Sequence, residues 1–213
     1  AHCANTGPMK GVLIEGGRVR LRYVSSTSRK LKWSWEQAQV PSLNGSFCWV
    51  GVNTALANKL VKLAIEFECL KNELGSIAEI RQEVVYGINR GSRIDFLLYP
   101  SKNNSDQRKI YIEVKNTTWA EGLLALFPDT ITKRGQKHLK ELMYLTPQDK
   151  AILIPCIARN DLNCFAPGDS ADQVYGKLFR KSLKQGVQII PCSFGFYKDN
   201  ITWEGVKIFQ DHQ

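Results

Sequence analysis

The sequence predicts a mixed α/β fold built on a central sheet, with a shorter segment of strands and turns ahead of it. Three observations carry this. At Asn53 the hydrophobic spacing changes from the two-residue period of strands to the helical period. Beyond that point the elements run helix, three strands, helix, strand, helix, strand, an order that suits helices laid over a sheet. The run Ala151–Ala158 is apolar at nearly every position, as a strand covered on both faces requires.

The elements follow in order. Val12-Leu-Ile leads into Glu15-Gly-Gly, a turn signal. Arg18, Arg20 and Arg22 then alternate with Val19, Leu21 and Tyr23, which gives one strand a basic and an apolar face. After a Ser/Thr loop, the stretch from Lys30 to Glu36 sets Trp33 and Trp35 on a shared face, and Pro41–Ser46 reads as a linker into the second part. Leu56, Leu60, Leu63, Ala64, Phe67 and Leu70 recur at helical spacing, so a helix spans Thr54–Leu74, capped at Asn53 or Thr54 and stopped at Gly75. Strands follow at Ile80–Tyr86, Arg93–Tyr99 and Lys109–Asn116, the last two joined as a hairpin by the polar loop Pro100–Arg108. Ile131–Leu145 is a second helix, Ala171–Gln185 a third ending at Gly186, and Val187–Ile190 a further strand.

Composition narrows the function. The 213 residues are 43% hydrophobic with a net charge of +9, enough apolar content for a core and against wholesale disorder. The longest nearly apolar run is too short for a membrane span, which needs about 20 residues. The N-terminus lacks the charged-then-apolar pattern of a signal peptide, so a cytoplasmic protein is expected. Six scattered cysteines with no C-x-x-C read as reduced thiols, and three histidines at positions 2, 138 and 212 give no zinc-finger spacing. Residues 1–60 hold eight Lys/Arg against two Glu, a net of +6, whereas residues 61–213 hold 21 against 18, a net of +3. A basic surplus in one segment points to a polyanion, nucleic acid first; an ordinary basic soluble protein is the alternative.

Two strands carry charge where a core strand should not. In Arg93-Ile-Asp-Phe-Leu-Leu the alternation sets Ile94, Phe96 and Leu98 on one face and Asp95 on the other. In Tyr111-Ile-Glu-Val-Lys, Ile112 and Val114 face the core while Glu113 and Lys115 share the opposite face. If the strands pair, Asp95 and Glu113 come within reach of one cation, and two carboxylates suit Mg²⁺ or Mn²⁺. Lys115 would orient a water or stabilise the transition state. An exposed strand face with a Glu–Lys pair is the alternative. The spacing of 18 positions from Asp95 to Glu113 resembles the PD-(D/E)xK nuclease superfamily. Pro128-Asp129 spells a literal P-D, but no E-x-K strand follows it, so it is set aside as a decoy.

The resemblance extends along the chain. His2-Cys-Ala-Asn-Thr-Gly, Arg29-Lys-Leu with Trp35-Glu36, and Val50-Gly-Val-Asn-Thr-Ala-Leu-Ala-Asn58 resemble the sugar fermentation stimulation protein family. So do Gly91-Ser-Arg-Ile-Asp-Phe, Tyr111-Ile-Glu-Val-Lys-Asn, Leu126-Phe-Pro-Asp-Thr, Arg134-Gly-Gln-Lys-His-Leu-Lys-Glu-Leu, Phe165-Ala-Pro and Gly186-Val-Gln-Ile-Ile. The resemblance implies a small OB-like β domain over residues 1–49 and a restriction-endonuclease-like domain over 50–213, with a mixed sheet and flanking helices. It implies DNA binding as the activity, an active Mg²⁺- or Mn²⁺-dependent nuclease as the alternative, and a link to sugar metabolism only through the family's name. Asp95, Glu113 and Lys115 fall on the nuclease core positions, and Glu83 resembles an additional acid, a third metal ligand or a surface residue. Family members usually carry a strand-rich segment before the His2-Cys-Ala-Asn-Thr-Gly motif, so the barrel's first strands are expected to be absent here or the barrel to close differently.

Nucleic acid is the expected partner, DNA first, with a homodimer admitted and no membrane. Arg18, Arg20, Arg22, Arg29 and Lys30 beside Trp33 and Trp35 combine phosphate neutralisation with stacking surfaces, as OB-like sheets use; tryptophans at strand spacing are alternatively core, Trp35 the more so. In the second domain Arg93, Arg134, Lys137 and His138 complete the set. Lys133, Lys137 and Lys140 recur along one helix flank, a phosphate-positioning or a solvated face. His138 is read as a hydrogen-bonding or phosphate-contacting residue rather than a metal ligand.

Overall fold

The computed structural model describes residues 1–87 and 91–211. The chain opens with β1 (His2–Cys3), β2 (Val19–Tyr23), β3 (Trp33–Pro41) and β4 (Phe47–Gly51). These form one sheet in which β1 and β2 flank β3 and β4 also pairs with β3. Its inner face buries Ala38, Val40, Cys48 and Val50 with Met9 and Val12. Pro41–Ser46 is therefore not an interdomain linker: Pro41 pairs with Phe47 across a tight β3–β4 connection. The first sheet accordingly runs to Gly51, two residues past the expected boundary at 49.

α1 (Ala55–Glu66) and α2 (Lys71–Leu74) replace the single expected helix. Glu68 adopts a positive φ of 54°, and the Cys69 and Glu68 amides bond back to the Ala64 and Ile65 carbonyls. That is the Schellman arrangement that ends helices, here without glycine. The turn redirects the chain so that Leu70 and Leu74 both reach the core. The helix start is capped at Asn53, whose Oδ1 accepts from the Ala55 amide, whereas the Thr54 hydroxyl donates to the Ala4 carbonyl.

Then come β5 (Ile77–Tyr86), β6 (Ser92–Pro100), β7 (Ile110–Thr117), β8 (Trp119–Glu121), β9 (Leu124–Phe127), α3 (Lys133–Leu145), β10 (Lys150–Ile157), β11 (Cys164–Pro167), α4 (Gln173–Lys184), β12 (Gln188–Ile189), β13 (Cys192–Phe196), β14 (Ile201–Val206) and β15 (Ile208–Phe209). The central sheet has the order β14-β13-β10-β7-β6-β5, with β12 also on β10. β7, β10 and β13 are parallel, and β5 and β6 join them as an antiparallel meander. α1 covers one face through Ala57, Val61, Ala64 and Ile65. α3 and α4 cover the other through Leu139, Leu142, Tyr175 and Phe179. β10 is buried on both faces as its sequence requires: Ile152 and Ile154 join the first cluster, Ala151 and Leu153 the second.

A third, small sheet of order β15-β11-β9-β8 is absent from the sequence reading, as are β13 and β14. The domains meet at Gly51, whose amide donates to the Ala158 carbonyl at 2.8 Å. A Cβ at Gly51 would lie 2.3 Å from the Phe196 ring, so glycine is what allows β4 to rest on β13.

Candidate metal and nucleic-acid site

The site begins where β6 and β7 separate. Their antiparallel register pairs Leu98 with Ile110, Leu97 with Tyr111 and Phe96 with Ile112. The next step would set Asp95 opposite Glu113, but pairing stops there. Val114 has lost its sheet partner on that side, and its amide donates instead to Asp95 Oδ2 at 2.7 Å. Asn58 on α1 donates to the other oxygen, Oδ1, also at 2.7 Å. The carboxylate thus wedges the fork and satisfies the backbone group that the fork exposes.

The fork corrects one expectation. Ile94 and Phe96 do not share a face: Ile94 joins the cluster under α3, and Phe96 and Leu98 the cluster under α1. Strict alternation fails at Asp95, where β6 parts from β7 while staying paired with β5 through Ser92.

Glu113 enters from β7 and is almost wholly buried, at 3% exposure. Two donors converge on its Oε1: Lys115 Nζ at 2.6 Å and His138 Nδ1 in a short hydrogen bond. Arg134 Nε donates to His138 Nε2 at 3.4 Å, which leaves Nδ1 as the protonated nitrogen that donates to Glu113. The other oxygen, Oε2, is buried and has no partner among the described residues. Burial pushes the Glu113 carboxyl up, but the His138 hydrogen bond and the Lys115 charge outweigh it and hold the group below its ordinary value. Asp95 goes the other way: burial, then the Glu113 charge, push it up to about 6 against the pull of Val114, Asn58 and Lys115.

Asp95 and Glu113 line one cavity of about 320 Å³ with Lys115, Asn116, Asp129 and Arg134. Asn5 of the N-terminal motif also reaches it. Asp129, set aside as a decoy in the sequence, is thus a third carboxylate on the wall. Its signal was present in Leu126-Phe-Pro-Asp-Thr, but its position is set by β9 and the small sheet, which no periodicity foretold. Among the described residues no group of three or more His, Cys, Asp or Glu side chains is close enough to hold one ion, so the acid pair is the centre.

Several expected residues stand elsewhere. Glu83 lies exposed on β5 with φ of 54°. It lines a second cavity with Arg93, Lys133, Arg134, Lys137 and His138, not the cavity of Asp95 and Glu113. The structure therefore does not bring it to the acid pair. His138 is buried against Glu113 rather than presented to a ligand on the surface. On the N-terminal sheet the arginine stripe is partly neutralised: Arg20 stacks 3.8 Å from the Trp49 ring centre and donates to Gln37, and Arg22 pairs with Glu36 at 3.0 Å. Mutual repulsion of the three thus loses its force. Arg18 and Lys30 are exposed, and Arg29 bonds Ser34. Trp35 packs into the core, whereas Trp33 is 48% exposed and sits edge-on to Tyr23 at 5.2 Å.

Comparison with known proteins locates this architecture. Residues 1–52 match the family model described as the SfsA N-terminal OB domain, and residues 55–200 the one described as the sugar fermentation stimulation protein RE domain. A sugar fermentation stimulation protein homolog from Prochlorococcus marinus (strain MIT 9211) is 62% identical over all 213 residues, 100% of this chain and 83% of that protein. One from Synechococcus sp. (strain WH7803) is 60% identical over the same 213 residues, 84% of its own length. The solved structure of Pyrococcus furiosus SfsA in complex with Ca²⁺ superposes with a TM-score of 0.83 at 25% identity, over 98% of this chain and 84% of the other.

Proposed function

The chain belongs to the sugar fermentation stimulation protein family, and from that membership and the acid pair at the fork we propose that it is a nucleic-acid-binding protein, DNA first, with a nuclease-like site for a divalent cation. One observation carries the reading: Asp95 and Glu113, from neighbouring strands, line a single cavity with Lys115 held against Glu113. The residues suit a hard cation. Among the described residues Glu113 keeps one buried oxygen without a partner, and burial, then its acidic neighbour, push the Asp95 carboxyl up; a cation between them would relieve both. Mg²⁺ or Mn²⁺ fits, since such ions take one or two carboxylates and keep waters for phosphate oxygens. The archaeal relative's structure contains Ca²⁺, which shares that preference for oxygen.

When bound, the cation would offset phosphate charge and lower the pKa of a coordinated water. The chain's own residues do the rest: Asn58 and the Val114 amide hold Asp95, His138 holds Glu113, and Arg134 at the cavity wall takes a phosphate oxygen. Among the described residues no helix is long and apolar enough to cross a membrane. A cytoplasmic location is part of the same proposal, because that is where a nucleic-acid partner would be met.

A second reading, an active nuclease, is favoured by Lys115, whose amine completes the acid pair at 2.6 Å from Glu113. Incubation of wild type and Asp95→Asn with single- and double-stranded DNA and RNA, in Mg²⁺ or Mn²⁺, separates the two. Cleavage lost in the variant establishes the nuclease. Binding without cleavage supports the first reading, and neither binding nor cleavage refutes both.

A further inference from the structure

We infer that the second cavity, which shares Arg134 with the cavity of the acid pair, seats a phosphate of the same polynucleotide strand that approaches Asp95 and Glu113; this rests on the nucleic-acid reading above. The cavity is about 670 Å³ and is walled by Arg93, Lys133, Arg134 and Lys137. Arg134 lines both cavities, so one guanidinium stands between two adjacent seats.

Charge bookkeeping sets this wall apart among the described arginines of the second domain. Arg22, Arg81, Arg108, Arg159 and Arg180 each pair with a carboxylate. Among the described residues Arg93, Lys133 and Arg134 pair with none, and Arg134 spends only its Nε on His138. Lys137 lies 3.6 Å from Glu141, which is itself buried and accepts from Ser92. The one other acid facing the cavity among the described residues is Glu83. Several cations gathered round one hollow with a single exposed carboxylate repel one another until an anion enters, and guanidinium matches phosphate geometry. A free phosphate group shares that chemistry; the strand is favoured because the cavity adjoins the acid pair through a shared residue.

The test measures anisotropy of a labelled single strand of about 12 nucleotides, within the usual footprint of such sites, in EDTA. Each phosphate contact adds about 0.7 to the salt slope of a single strand, so losing two at about 0.1 M salt weakens binding about 25-fold. Arg93→Gln/Lys133→Gln is expected to show that loss and a slope lower by about 1.4. Glu83→Gln is expected to tighten binding about fivefold. Both should leave Mn²⁺ affinity by calorimetry at the wild-type value, and Lys177→Gln/Lys184→Gln, an equal charge loss on exposed positions of α4, should leave strand affinity near wild type. The inference is overturned if the Arg93/Lys133 variant binds as wild type, or loses no more than the α4 variant. Inorganic phosphate binding as tightly as the strand would assign the cavity to a free anion and also overturn it. Wild type that binds neither this strand nor a duplex, in EDTA or in Mn²⁺, refutes the nucleic-acid reading itself, whatever the variants do.

Discussion

Replacing Asp95 by asparagine should make the metal-free fold more stable above neutral pH, although it alters a residue at the centre of the site. In the folded chain burial and the Glu113 charge raise the Asp95 carboxyl from 3.8 to about 6. A raised value favours folding fully below 3.8, where both states are protonated, and that benefit is lost as pH rises through 6. At about 1.4 kcal/mol per pKa unit, ionised Asp95 therefore destabilises the fold by about 3 kcal/mol at pH 8. Asparagine removes the charge and keeps the contacts: its carbonyl still accepts from the Val114 amide, and the Asn58 amide can turn over to accept from the new NH₂. Loss of the charge-assisted strength of two bonds offsets about 1 kcal/mol of the gain. The net expectation is about 1–3 kcal/mol, or a melting point higher by roughly 2–10 °C for a chain of this length. Thermal unfolding in EDTA at pH 8 reads it directly. The advantage should shrink below pH 6 and fall to well under half by about pH 4.5. Saturating Mn²⁺ should reverse the order, because only the wild type gains binding free energy. A variant less stable than wild type in EDTA by the same margin at both pH values would refute the reasoning.

Three further outcomes follow from the same geometry. His138→Leu leaves Glu113 with Lys115 as its only donor, so Mn²⁺ affinity by calorimetry should fall about 10- to 100-fold, with partial recovery in His138→Gln; unchanged affinity in His138→Leu would remove its positioning role. Asp172 caps α4 through the Tyr175 amide and ties down α3 through the Thr132 amide and both Gln136 contacts, so Asp172→Ala should lower stability in urea by about 2–3 kcal/mol. Burial opposes ionisation of Asp172, yet those bonds hold it below 3.8; its contribution should persist above about pH 4 and vanish as pH falls below that. Gly51→Ala places a Cβ 2.3 Å from the Phe196 ring and should destabilise the joined domains by about 1–3 kcal/mol, seen as a lower urea midpoint.

Long, strongly patterned elements were legible in the sequence. The central strands and α3, α4 emerged within a few residues because each presents a continuous apolar face to one of two large clusters. What escaped were pieces too short to show a period. β8, β9, β11 and β15 hold two to four residues each, and their pairing comes from distant parts of the chain. β13 and β14 carry Gly195 and Gly205, which read as breaks. Pro41–Ser46 has a linker's composition, but composition does not distinguish a linker from a hairpin turn. The arginine stripe was visible, whereas its partners Trp49, Gln37 and Glu36 lie on other strands or across a bulge.

The candidate site shows how the residues of a motif can converge while their geometry is misread. Alternation placed Asp95 opposite the core face on the assumption that β6 stays paired with β7 beyond Phe96. In an unbroken β6–β7 pair the Asp95 carboxylate would find no free backbone donor beside it and no cavity to share with Glu113. The fork supplies both: it exposes the Val114 amide that Asp95 accepts, and it opens the space in which the two acids share a cavity. Pairing with β7 is surrendered where the charges lie, and the same break that spoils the periodicity opens the cavity that the two acids share. His138 completes the argument from the helix side. It reads in the sequence as a hydrogen-bonding or phosphate-contacting residue, and its neighbours Leu139 and Leu142 turn that side of α3 into the core. Only burial lets its ring fix one oxygen of Glu113 and leave the other free. Metal binding that survives loss of the Asp95–Val114 wedge and of the His138 bond together would show that the fork is incidental to the site.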